Sequence, residues 1–256
     1  MNTRMREGRG RGASALVRAA RTAAAAAAGI LLSAALSFGQ FIESRGVWGF
    51  SFGELYPSGG FAENARRGGA GLSFFYAKRL GRSPVFAGGE FALHYYGDTH
   101  RHESMAGIGV PEVQLDVETF NNILQGLFIL RVEPLRGGVK LFAEALAGVS
   151  YLFTDTSVYS HTFPWEDLAY DINYDSFTVT AGAGGGLALR VGRPRDRPER
   201  RRKESLIEIK VRYMAGGVAK YLRQGSIVVD GDTFTYQVEK SATSFVTVQM
   251  GFSFFF

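Results

Sequence analysis

The chain has 256 residues, with 33 glycines, 21 phenylalanines, 11 tyrosines and no cysteine. The missing cysteine excludes disulfide frameworks, thiolate metal sites and cysteine nucleophiles. Abundant strand formers exclude disorder, and glycine without a Gly-X-Y period excludes collagen. The formal net charge of +5 lies entirely in the first 39 residues, where Arg4, Arg6, Arg9, Arg11, Arg18 and Arg21 face one acid, Glu7. Beyond them acids and bases balance, so total charge implies no nucleic-acid partner.

The leader runs from this arginine-rich stretch into an apolar segment, Ala23–Leu36, followed by the small residues Ser37 and Gly39. That order is the order of a secretory signal peptide, and the segment is shorter than the roughly 20 residues of a membrane-spanning helix. Residues 1–39 are therefore expected to be a signal peptide and residues 40–256 the mature domain.

From there the dominant signal is alternation with period two, the mark of strands with one apolar face. Residues 46–56 set Trp48, Phe50, Phe52 and Tyr56 opposite Val47, Gly49, Ser51 and Gly53. Residues 69–77 set Leu72, Phe74 and Tyr76 opposite Gly71, Ser73 and Phe75. Residues 85–96 set Val85, Ala87, Phe91, Leu93 and Tyr95 opposite Gly88, Glu90, Ala92 and His94. Residues 119–132 are less regular: Phe120, Leu124, Phe128, Leu130 and Val132 face one way, and Asn121, Ile123, Gln125, Leu127, Ile129 and Arg131 the other. In 140–153 the apolar face opposes Lys140, Glu144, Gly148 and Ser150, and in 177–191 it opposes Thr178, Thr180, Gly182, Gly184, Gly186 and Arg190. Around 207–216 Ile207, Ile209, Val211 and Tyr213 oppose Glu208, Lys210 and Arg212. The last segment sets Val246, Val248, Met250, Phe252, Phe254 and Phe256 opposite Thr247, Gln249, Gly251 and Ser253.

These are eight strands of about nine or more residues, the length of transmembrane β-strands. A face carrying Glu, Lys and Arg cannot meet an apolar core, yet the opposite face is wholly apolar. An all-β fold reconciles the two: an eight-stranded antiparallel up-and-down transmembrane barrel, apolar outside and polar within, closed because unpaired backbone in lipid costs several kcal/mol per group. Connections alternate between long (57–67, 97–118, 154–176, 220–242) and short (78–84, 133–138), with 192–203 intermediate, which places both termini in the periplasm. The 154–176 connection carries Asp155, Glu166, Asp167, Asp171 and Asp175 without a basic residue, whereas 192–203 is rich in arginine. Carboxylates in the first could bridge to lipopolysaccharide phosphates through divalent cations. Trp48, Tyr76, Tyr95, Tyr151, Phe177, Tyr213, Tyr221, Phe254 and Phe256 are expected on the outward face near strand ends, as interfacial girdles.

In this pattern the chain resembles the eight-stranded outer-membrane barrels of the OmpA, OmpX and OmpW kind, over about residues 40–256. Its end resembles their assembly signal, with Gln249, Gly251, Phe254 and Phe256 in the four defining places. The resemblance implies recognition by the barrel assembly machinery, contact with outer-membrane lipids and lipopolysaccharide, and a structural or surface-interaction role. No periplasmic peptidoglycan-binding domain is expected after the eighth strand, unlike in the full-length OmpA kind. The inward charges Glu90, Glu144, Arg190, Glu208, Lys210 and Arg212 are expected to pair and plug a lumen just wide enough for side chains. The alternatives are a small-solute pore and a lipid-modifying enzyme. For the latter, His102-Glu103-Ser104 resembles the His-x-Ser of lipid A deacylases, but is placed in a loop. The cluster Asp98, His100, His102 and Glu103 reads first as that same solvated loop. No catalytic residue, metal site or cofactor is assigned.

N-terminal sequencing of the membrane-extracted protein should find its first residue at about Phe38 or Gln40. Retention of Ala23–Leu36 would overturn the signal-peptide assignment.

Overall fold

A computed structural model describes residues 46–65, 68–104, 114–134, 137–160, 167–191, 204–222, 228–230, 233–235 and 237–256. The expected leader and the arginine-rich 192–203 connection lie outside these residues. Eight strands close into an antiparallel barrel: β1 (Gly46–Ser58), β2 (Gly69–Arg79), β3 (Val85–Ser104), β4 (Gln114–Val132), β5 (Val139–Ser160), β6 (Asp167–Val191), β7 (Glu204–Gly216) and β12 (Ser244–Phe255). Neighbours in sequence are neighbours in space, and β12 returns to β1 through a register running from Val47↔Phe255 to Ser58↔Ser244. Two backbone hydrogen bonds between Gly46 and Phe256, each 3.1 Å, finish that seam. Closure leaves no edge within the barrel wall, as a strand sheet in lipid requires.

The two faces of each strand follow the sequence alternation. On β7 the inward residues Leu206, Glu208, Lys210, Arg212 and Met214 are buried, while Ile209 and Val211 are exposed. Large apolar side chains dominate the exposed surface, among them Phe50, Phe52, Leu72, Phe74, Phe91, Phe128, Val149, Val179 and Phe252. This inverts the usual distribution, in which a contiguous exposed apolar surface marks contact with another apolar phase.

Aromatics ring both ends of this band. At the end bearing Gly46 and Phe256, Trp48 stacks on Phe254 at 4.5 Å and Tyr76 on Phe256 at 6.2 Å. At the other end Tyr151 lies 4.5 Å from Phe177 and 5.4 Å from Phe153, and Tyr95 lies 6.1 Å from Phe120. Tyr221 departs from the expected girdle: it is buried in the barrel mouth, because the connection that carries it folds inward.

The long connections are also more structured than alternation alone suggests. Strands β3 to β6 run for 20, 19, 22 and 25 residues, against 13, 11, 13 and 12 for β1, β2, β7 and β12. The segment Asp98–Glu103, expected in a loop, is part of β3 and pairs with β4 through Asp98↔Phe120, His100↔Glu118 and His102↔Asp116. Most of 154–176 is likewise strand, with Asp155↔Ile172 and Thr156↔Asp171 in register. Outside the membrane the apolar alternation ends, but backbone pairing continues. Between β1 and β2 lies a short helix, α1 (Gly60–Asn64). Between β7 and β12, β8 (Val218–Leu222) pairs with β11 (Val238–Ala242), and β9 (Val228–Asp230) pairs with β10 (Thr233–Thr235).

Inward glycines allow strands to coil this tightly. A Cβ at Gly88 would fall on the Tyr76 carbonyl, and one at Gly53 on the Val248 carbonyl. Gly126 differs: it faces outward and a Cβ there would meet nothing within 4 Å. Gly88→Val should therefore lower barrel stability by about 1–3 kcal/mol, read as a shifted urea midpoint in lipid vesicles, whereas Gly126→Val should leave the midpoint nearly unchanged.

Candidate functional site: the charged lumen

Inward positions of β3, β4, β5 and β7 project carboxylates and guanidinium groups into a space about one side chain deep. Arg131, on β4, is the hub and is fully buried at 0% exposure. Its Nη1 and Nη2 donate to the two carboxylate oxygens of Glu208 across the lumen at 3.0 and 2.5 Å. Its Nε donates to Glu133 at 2.7 Å, and Nη1 also reaches Glu144 at 3.3 Å. The guanidinium plane lies 3.7 Å from the ring centroid of Phe142. Arg212 forms the second hub. It donates to both oxygens of Glu90 at 2.5 and 2.9 Å, and its Nε reaches Glu144 at 2.7 Å. Glu144 thus links the two arginines: Arg131–Glu144 joins paired neighbours β4 and β5, while Arg131–Glu208, Arg212–Glu90 and Arg212–Glu144 are chords between non-adjacent strands.

Toward the end bearing Gly46 and Phe256 a smaller cluster repeats the pattern. Glu204 accepts from Lys140 at 2.8 Å and from Arg190 at 2.7 Å. Lys140 Nζ also sits 4.3 Å from the Phe255 ring centroid. Counting the described residues of both clusters, five bases (Arg131, Lys140, Arg190, Lys210, Arg212) balance five acids (Glu90, Glu133, Glu144, Glu204, Glu208). Lys210 is buried but its Nζ makes no hydrogen bond among the described residues; it lies 5.4 Å from the Phe75 ring centroid. Bidentate geometry explains why arginine, and not lysine, occupies the hubs.

Apolar layers close the network above and below. Val47, Phe75, Ala77, Phe86, Phe142, Ala188, Leu206 and Phe255 form the layer nearer Gly46 and Phe256. On the opposite side come neutral pairs, Ser51 with Ser73 at 2.8 Å, Gln125 donating to Ser150 at 2.8 Å, and Thr154 donating to Asn121 at 2.7 Å. Asn122, on the outward face, donates to Asp155 at 2.8 Å, and partial burial raises the Asp155 carboxyl above its ordinary pKa.

The mouth is capped. A register shift between Tyr95 and Gly97 leaves Tyr96 as a bulged residue, and such bulges re-aim a side chain. Phe61 of α1 packs on Tyr96 at 5.1 Å and edge-on against Tyr221 of β8 at 5.3 Å. Asn64 donates to the Tyr221 hydroxyl at 3.0 Å, and that hydroxyl bonds Ser241 of β11 at 2.7 Å. Helix and hairpin are thereby pinned together over the barrel.

Of the six lumen residues singled out from sequence, Glu90, Glu144, Glu208 and Arg212 lie in the central cluster, Lys210 lies between its groups, and Arg190 belongs to the lower one. Sequence reasoning placed Arg131 and Lys140 inward but left them out of the network, and it missed Glu133 and Glu204. Their signal was inward alternation carried to the strand ends: Glu133 lies one residue past β4, and Glu204 is the first residue of β7. At the chain end Gln249 and Gly251 face inward, while Phe254 and Phe256 face outward in the lower aromatic ring. The His102-Glu103-Ser104 trio lies in strand β3 rather than a loop.

No protein-family model and no curated protein matches the sequence. Three solved structures are similar over most of the chain. Neisserial surface protein A aligns with a TM-score of 0.40 and 8% identity, covering 82% of this chain and 96% of its own. Ail, the attachment invasion locus protein of Yersinia pestis, aligns at 0.35 and 12%, covering 84% and 99%. A major outer membrane protein from Thermus thermophilus aligns at 0.37 and 9%, covering 82% and 99%.

Removing a hub should expose its cost. Arg131→Met leaves Glu208 and Glu133 buried without their partner and should destabilise the barrel by about 3–5 kcal/mol, measured as the urea midpoint in vesicles. Exposed Lys78→Met should change it by less than about 0.5 kcal/mol.

By its own geometry the chain is a closed eight-stranded antiparallel barrel with an apolar exterior and a charged interior.

Proposed function

We propose that the chain is an integral outer-membrane barrel of a double-membraned bacterium, with both termini periplasmic, a lumen plugged by paired charges, and an outer extension that acts as a surface for contact. The observation that carries this reading is the inside-out distribution: an aromatic-bordered apolar exterior around buried arginine–glutamate pairs. A soluble protein would solvate those charges and bury those rings.

The plug is supported by chords that cross the lumen at hydrogen-bond distance, leaving Arg131, Glu144 and Lys210 almost without exposed surface. The mouth cap adds a second obstruction. The contact role is supported by strand length. Membrane strands need about 9–11 residues, so β3 to β6 extend well beyond any bilayer. Their extension has two edges: β6 pairs with β7 only from Thr180 onward, and β3 pairs with β2 only up to Tyr95. Exposed strand edges accept further strands or extended peptides. In this reading Gln249, Gly251, Phe254 and Phe256 address the chain to the barrel assembly machinery. The acidic outer residues face lipopolysaccharide, and the extension meets a surface ligand.

Planar-bilayer recording tests the plug. The wild-type chain should show little or no steady conductance, and Arg212→Met should make it leaky by freeing Glu90 and Glu144. A large, stable wild-type pore unaffected by that substitution would overturn the plug and favour the small-solute pore.

A further inference from the structure

The exterior of the barrel is not uniformly convex. On β2, β3 and β4 the outward residues form three rows in register: Lys78–Ala87–Leu130, Tyr76–Gly89–Phe128 and Phe74–Phe91–Gly126. Small residues step diagonally through these rows, from Ala87 to Gly89 to Gly126. Tyr76, Phe74 and Phe91 wall one side and Phe128 the other, around a shallow, wide-open depression of about 540 Å³.

Barrel packing does not require these two glycines. A Cβ at Gly126 would meet nothing within 4 Å, and one at Gly89 only the Leu127 carbonyl at 3.7 Å. Neither has the positive φ that favours glycine. Glycine inside a strand weakens it, and often marks the close approach of something else. The four rings stay highly exposed, Phe128 at 56% and Phe91 at 54%.

Two residues along β3 from Gly89, on the same outward face, stands Ala87, and there the surface chemistry changes. Lys78 stands beside Ala87 in the same row, exposed, and the exposed Arg82 follows in the turn that joins β2 to β3. A shallow apolar depression with one cation in the neighbouring row and another in the turn beyond matches a molecule with an anionic head and a hydrocarbon tail. Within the membrane placement proposed above, on which this inference rests, the side bearing Lys78 and Arg82 faces the periplasmic leaflet, where such molecules are phospholipids.

We propose that the Gly89–Gly126 groove seats one acyl chain of an anionic phospholipid of the periplasmic leaflet, with its phosphate held by Lys78 and Arg82. The aromatic walls supply contact area along the chain, and the cations supply head-group selectivity. Such a lipid would exchange more slowly than the lipids around the rest of the barrel.

The test uses the full membrane-extracted chain in vesicles of phosphatidylglycerol and phosphatidylcholine, released into mild detergent and weighed by native mass spectrometry. One phospholipid per barrel should remain, with phosphatidylglycerol favoured. Gly126→Leu alone, and together with Gly89→Leu, should lower the retained fraction at least fivefold while the heat-modifiable gel shift of the folded barrel persists. Lys78→Gln with Arg82→Gln should keep a lipid but erase the preference for phosphatidylglycerol. Equal retention in the groove-filled variants would overturn the proposal. So would a dimer mass that disappears on filling, since the groove would then seat a second copy. A chain that fails to enter the vesicles at all would remove the membrane reading, and this inference with it.

Discussion

Two arginines in a space too narrow for bulk water set the terms for the rest of this barrel. A guanidinium group cannot lose its proton to escape burial, so Arg131 and Arg212 must be met by carboxylates from other strands. Those carboxylates are buried in turn and need the arginines. The result is mutual dependence across the lumen: Glu208 on β7 answers Arg131 on β4, Glu90 on β3 answers Arg212 on β7, and Glu144 on β5 joins them. Such a network adds little net stability over an apolar filling but penalises every mispaired register. A one-residue slip of any strand would turn its charges toward lipid, so the network works chiefly as a register lock.

The backbone register extends this logic to the wall. Inward positions opposite long side chains are held by glycine, as at Gly184 beside Arg212 and Gly49 beside Phe75. The strands approach closely where the interior is already full. Apolar layers on both sides of the charges keep the dielectric low and the hydrogen bonds short. The same feature makes any unpaired member costly.

Much of this was legible in the sequence because a membrane barrel obeys two alternating constraints at once. Lipid demands apolar residues on one face and the lumen tolerates only small or paired polar ones on the other, so Glu208-Ile209-Lys210-Val211-Arg212 can be read almost directly. The signal fades where one constraint lapses. On β4 the inward face carries Ile123, Leu127 and Ile129, which hides Arg131 as one charge among apolar neighbours. Glu133 and Glu204 sit at strand ends, where period two has too few residues to declare itself. Beyond the bilayer nothing requires an apolar outer face, so the extensions of β3 to β6 look like loops although their backbones still pair. Tyr221 resembles a girdle residue until its connection turns inward, a tertiary event that local pattern cannot encode.

The barrel is also asymmetric around its circumference, and the asymmetry divides its labour. The low wall, β1, β2, β7 and β12, carries the connections that turn inward: α1 between the first pair and the β8–β11 hairpin between the second. With short strands these connections start close to the rim, and Phe61 and Tyr221 can reach across the mouth to Tyr96. The tall wall, β3 to β6, continues its backbone pairing beyond the last pairs of the low wall. Closure and outward projection thus follow from one variable, strand length, distributed unequally around a single ring. Tyr96 sits at the boundary, on the tall strand β3 at the height where its pairing with β2 ends, and its bulge gives the cap its third aromatic wall. The charged belt joins both walls, from Glu90 and Glu144 on tall strands to Glu208 and Arg212 on β7, so one paired interior holds strands of unequal length in register.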